Sequence, residues 1–238
     1  MSNMTKQFDK KLPPHFDKVV TSDLIKLTRE LVMLSSPQQS SSISSHQLWF
    51  MLPAIKKALS LYAALNREID AKSLVASAML LRGLIEAISN YIFVTGMPKD
   101  NSAFYAKYAK AGRLRMHRKG KGWEKVTVTA QVDYASQVTK LTQLQALYDH
   151  CSELVHSNSS NVKLLFPTEE QDDDTILRIA MTADEGHIDD GTFEAMRVQA
   201  GGLMVALVEV LKGEIAAFKS GRADALLEGY ELLSIKVI

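Results

Sequence analysis

Two apolar stretches of this chain carry polar side chains at helical spacing. In the first, Ser73 to Tyr91, Arg82 and Glu86 stand four residues apart and therefore share one helix face. In the second, Leu144 to His156, the residues Tyr148, Ser152 and His156 follow at intervals of four and form a stripe. If the stripes meet, they make one polar cluster inside a bundle. Glu86 would fix one imidazole nitrogen of His156, and the other nitrogen would work as acid or base. Ser152 would become a nucleophile only with a base in reach, and His156 lies one helical turn on.

Arg82 and Glu86 sit on a helix so apolar that both are expected to be buried. Buried charges must be paired, because leaving one alone is costly. Arg before Glu is the weaker order for an isolated helix, so tertiary partners are expected, with His156 foremost. A structural ion pair that braces the bundle is the favoured reading of Arg82 and Glu86. The helix dipole alone explains a histidine at a C-terminus. No strained turn or oxyanion-hole glycine motif accompanies Ser152, which disfavours a serine hydrolase.

No metal site and no cofactor are expected. His150 and His156 point to different helix faces. The acidic run Glu169, Glu170, Asp172, Asp173 and Asp174 lacks the spacing and central glycine of a calcium loop. A lone Cys151 precludes both an intrachain disulfide and a cysteine-based zinc site.

A second constellation lies between glycines. Arg113, Arg115, Arg118, Lys119, Lys121 and Trp123 make a basic segment with a flanking aromatic. It is read as a loop over 112–122. Such a loop grips phosphates and stacks a base, or simply stays solvated. RNA or a nucleotide is the partner this chemistry would take.

Helical periodicity dominates the elements that must position these residues. Residues 1–20 are charged, carry Pro13-Pro14 and read as a flexible arm. Thr21 or Ser22 then caps a helix to about Leu34. A serine-rich linker follows over 35–45. A helix with Pro53 near its start or at a kink runs to Arg67. Asp70 is expected to cap the central apolar helix that ends near Val94. Asp100 to Ala111 reads as helical, with Tyr105 among its aromatics. One long helix is expected from Asp133 to His156. Alternation over 162–181 predicts a small β-hairpin. A final long helix opens near Asp189 or Thr192 and runs to Lys219, with Gly201-Gly202 implying a tight crossing. Residues 222–238 form a C-terminal tail. The fold class is thus mainly α, a multi-helix bundle in one domain over 21–221.

The bulk composition is that of an ordinary globular chain: 238 residues, 46% hydrophobic, 23% charged, formal net charge +1. A near-neutral chain gives no support to whole-protein polyanion binding. The polar start lacks a signal-peptide core and no run of about 20 apolar residues occurs. A cytoplasmic location and no membrane span are expected.

The order of motifs resembles a family. Arg-x-x-x-Glu on a central helix, aromatics in the next, then Tyr-x-x-x-Ser-x-x-x-His closing a later helix is similar to bacterial helical proteins of HEPN type. These are nucleotide-associated bundles found in toxins and phage defence. The resemblance covers roughly Leu48 to Leu211 and rests on Arg82, Glu86, Tyr105, Tyr148, Ser152 and His156. It implies a self-associating, defence- or stress-linked binding or regulatory protein. It also implies an alternative, a metal-independent endoribonuclease with His156 as acid/base, Arg82 on the phosphate, and Ser152 or Tyr148 positioning it. Active members carry an Arg shortly before that His, whereas here His150, Cys151 and Ser152 occupy those places. A purely structural interaction module is the third reading.

Overall fold

The computed structural model describes residues 12–34, 45–96, 114–118, 122–156, 169–171, 174–176, 188–220 and 235–237. Among the described residues six helices carry the architecture: α1 (Phe16–Leu34), α2 (Ser45–Asp70), α3 (Leu74–Thr95), α4 (Val128–Thr139), α5 (Leu144–Val155) and α6 (Asp190–Ser220). The chain is mainly α, a helical bundle.

α3 is the hub. It packs against α2, α4, α5 and α6, while α1 lies on α6 and α2. Leu81, Leu84, Ile85, Ile88 and Ile92 of α3 are all at most 2% exposed. They meet a core that includes Leu65 of α2, Val132 of α4, Leu154 of α5 and Leu207 of α6. An apolar surface this wide demands neighbours on several sides. Among the described residues α3 is also the one helix long and apolar enough to cross a membrane, yet 67% of that stretch is buried in the bundle.

Several boundaries differ from expectation. α1 starts at Phe16, so the arm does not extend to residue 20. A turn after the two prolines, with Phe16 N–H donating to Pro13 O at 3.1 Å and His15 at φ 63°, launches the helix. Tertiary contacts hold this first turn. The Tyr62 hydroxyl donates to Asp17, and Phe16 packs against the core. Asp70 does not cap α3. It ends α2, Lys72 turns the chain at φ 54°, and Ser73 is the N-cap. Helix α2 runs through Pro53 from Ser45.

The long helix expected from Asp133 to His156 is two helices. Thr127 caps α4 by accepting from Ala130 N–H at 3.1 Å. α4 ends where Lys140 takes the left-handed conformation at φ 58°. That conformation costs a non-glycine residue roughly 1 kcal/mol. The Ser136 hydroxyl, donating to Leu141 O at 2.8 Å, braces the turn. The break lets α5 pack on both α3 and α4.

Short extended segments complete the description. β1 (Leu114–Arg118) pairs antiparallel with β2 (Gly122–Lys125) and with β5 (Ile235–Val237). The described part of the expected basic loop is therefore ladder backbone, with Arg115 opposite Lys125 and Arg118 opposite Gly122. β3 (Glu169–Gln171) pairs with β4 (Asp174–Ile176). That short pairing does not establish the hairpin expected over 162–181, most of whose residues lie outside the described ones, as do the serine linker over 35–44, the helix expected over 100–111, and residues 222–234 of the tail.

Gly201 and Gly202 of α6 play unlike parts. A Cβ on Gly201 would come within 2.8 Å of Leu12 Cδ2 and 3.1 Å of Phe16 Cε1. The close approach is thus to the chain entering α1. A Cβ on Gly202 would meet nothing within 4 Å. Gly202→Ala is expected to stabilise the fold by about 0.5–1 kcal/mol through helix propensity. Gly201→Ala should give clearly less, because Leu12 must move. Thermal unfolding of the two variants side by side checks the order.

Candidate functional site

The two polar stripes meet. Arg82 Nε donates to Glu86 Oε1 at 3.1 Å along α3. Arg82 Nη2 donates to the Tyr148 hydroxyl of α5 at 3.4 Å, and that hydroxyl donates to Glu86 Oε1 at 3.2 Å. The guanidinium carbon also lies 5.4 Å from the centre of the Tyr148 ring, within cation–π range. A triangle results, in which Tyr148 touches both charges.

Neither charge is as buried as the apolar helix implies. The side chains of Arg82 and Glu86 are 27% and 34% exposed. α3 is closed on its other sides, and this pair lines the seam that α5 leaves open to water. The seam continues. Asn90, one turn beyond Glu86, donates to Gln131 Oε1 of α4 at 3.3 Å. The spacing 82, 86, 90 places all three on one face of α3, a signal already present in the sequence.

His156 is not the partner of the charged pair. Every hydrogen bond of Arg82 and Glu86 among the described residues is to the other or to Tyr148. His156 is exposed at the C-cap of α5, where its backbone N–H donates to Ser152 O at 3.0 Å. Eight residues of helix separate it from Tyr148, about 12 Å along the axis. The Ser152 hydroxyl turns back and donates to Tyr148 O at 2.7 Å. Its one proton is engaged by the backbone, so it is not presented as a nucleophile.

Electrostatics follow from this geometry. The hydrogen bond to Tyr148 raises the Arg82 pKa, burial opposes it, and Glu86 adds to the rise. Arg82 is a permanent cation. Cys151, one residue before Ser152, is fully buried, and burial pushes its thiol up to about 12 although the Arg82 charge pulls the other way. It is a core thiol.

The basic constellation is only partly visible. Arg115 and Arg118 lie on β1 and Trp123 on β2, whereas Arg113, Lys119 and Lys121 are outside the described residues, as is Tyr105. Among the described residues no three His, Cys, Asp or Glu side chains gather where they could hold a metal ion.

A second polar contact, deep in the core, went unread in the sequence. The Tyr91 hydroxyl of α3 donates to Glu214 Oε2 of α6 at 2.6 Å, and Glu214 is 1% exposed. Leu207, Leu211, Glu214 and Phe218 recur at helical spacing, so the periodicity placed this carboxylate on the apolar face. On the surface, Arg197 of α6 donates to Asp70 at 2.6 Å and to Asn66 at 3.3 Å.

Comparison with protein families, with curated proteins and with solved structures returns no match.

The two polar contacts should respond differently to deletion. Arg82→Ala breaks a half-exposed pair and is expected to cost at most about 1 kcal/mol. Tyr91→Phe takes a donor from a buried carboxylate and should cost about 1–3 kcal/mol. Denaturant unfolding measures both. Cys151 adds an alkaline sensitivity. Its folded pKa is raised above the unfolded 9.0 towards about 12. The stabilisation it brings is complete below the unfolded value and is lost as pH rises from there towards the folded one. Cys151→Ala should lose less stability than the parent over that window, as melting temperatures across alkaline pH will show.

Proposed function

We propose that this chain is a binding protein whose open α3–α5 seam recognises a phosphate-bearing ligand, a nucleotide or RNA, through Arg82. One observation carries this reading. The guanidinium is held from two sides, by Glu86 through Nε and by Tyr148 through Nη2, while Nη1 has no hydrogen-bond partner among the described residues. A planar cation fixed in this way offers its remaining N–H groups as a fork for phosphate oxygens. Tyr148 supplies orientation and an aromatic face.

The resemblance to HEPN-type bundles supports the same ligand class. It extends the proposal to a self-associating protein of that fold, working in defence or stress regulation. The endoribonuclease reading draws less support from this geometry. It needs an acid/base group beside Arg82, and the residue assigned that role stands two turns of α5 away.

Binding is tested with short mixed-sequence RNA and nucleoside monophosphates in the presence of chelator. The expected result is binding without cleavage, weakened about tenfold or more by Arg82→Ala, as loss of a charge-assisted contact implies. Equal affinity of the parent and Arg82→Ala removes the proposal. Cleavage in chelator that His156→Ala abolishes replaces it with the ribonuclease.

A further inference from the structure

The outward face of α1 has a composition that its core-facing side does not explain. Lys18, Ser22, Lys26 and Arg29 follow one another at one-turn spacing along the exposed ridge. Ile25 and Val32 flank the ridge on one side and Val19 on the other, Met33 continues it one turn beyond Arg29, and these four are 42%, 46%, 58% and 68% exposed in the order Ile25, Val32, Val19 and Met33. No other described helix shows more than one large exposed apolar side chain. A shallow open cleft of about 620 Å³ runs along the ridge beside Lys18, Ser22, Ile25 and Arg29.

Cations outnumber carboxylates on this face. α1 has three carboxylates, of which Asp17 alone borders the cleft. Asp17 accepts from Tyr62, and Glu30 pairs with Lys219 of α6. Asp23 reaches Lys26 only at 3.9 Å. The side chains of Lys18 and Arg29 make no ion pair among the described residues. A chain of net charge +1 thus concentrates three cations on one exposed helix face.

We propose that this face of α1 docks an acidic peptide segment of a partner protein, one that carries apolar side chains beside its carboxylates. The order of residues across the face selects this occupant. A helix lying on a membrane puts its apolar stripe at the centre and its cations at the edges; here the cations run along the middle of the face, with Ile25, Val32 and Val19 beside them and Met33 at their end. Bare phosphates would meet the cations but leave four apolar side chains unused or desolvated against charge. An acidic segment lying in the cleft uses both, its carboxylates answering the ridge and its apolar side chains covering the flanks. The site is on α1, apart from Arg82, and stands or falls independently of the seam.

The test selects random displayed peptides on the full chain. The enriched peptides should combine Asp or Glu at one-turn spacing with Leu, Ile or Met. A synthetic enriched peptide should bind K18E/K26E/R29E at least about tenfold more weakly and should lose affinity as salt rises. I25S/M33S should also weaken it, by about threefold. All substituted residues are exposed, and K18Q/R29Q gives a milder variant for the same comparison should charge reversal disturb folding. The proposal is overturned by selection without acidic preference, or by affinity indifferent to these variants. Tighter, equally variant-sensitive binding to phosphatidylserine vesicles or to RNA also overturns it.

Discussion

Burial of α3 on nearly every side is the constraint from which the other features follow. A helix that buries Ala87, Tyr91 and Val94 as well as Ile85, Ile92 and Phe93, side chains turned in different directions, cannot be covered by one neighbour. Four helices surround it, and each must approach closely. On the α2 side Leu61 lies over Gly83, where an added Cβ would make an ordinary contact 3.5 Å from Leu61 Cδ2. The break at Lys140, one left-handed residue, lets α4 and α5 each pack on α3 and on one another.

Polar residues on such a hub face two fates, and both occur. Arg82 and Glu86 lie on the one face that α5 leaves partly open. They keep contact with water and take Tyr148 as a shared neighbour. Tyr91 lies on a closed face, so its hydroxyl must find a partner inside the core, and the carboxylate of Glu214 is there. The first arrangement leaves donors available to a ligand; the second ties α3 to α6. Ser77 and Ser89, also on α3, have buried hydroxyls with no hydrogen-bond partner among the described residues.

Much of the bundle was legible because helical periodicity is a local property. The existence and approximate ends of α3 and α6 follow from apolar spacing alone. So does the shared face of Arg82 and Glu86. The start of α1 was not legible in this way. Charged residues and two prolines resemble an arm, and only the contacts of Phe16 and Asp17 with other helices make that stretch the start of a helix. The turn at Lys140 carries neither glycine nor proline, so no local signal marks it. Asn90 and Glu214 were readable from spacing, yet their partners Gln131 and Tyr91 stand on different helices from them.

By itself the sequence determined a mainly helical chain with an apolar hub and two polar stripes, because side-chain pattern along a helix fixes which residues share a face. Only the tertiary structure decided which stripe members meet. The crossing of α3 and α5 brings Tyr148 to Arg82 and Glu86, turns Ser152 back on its own helix, and leaves His156 at an exposed end. Periodicity assigns faces, but the angle and depth at which two helices cross choose the residues that touch. That choice depends on packing summed over the whole core.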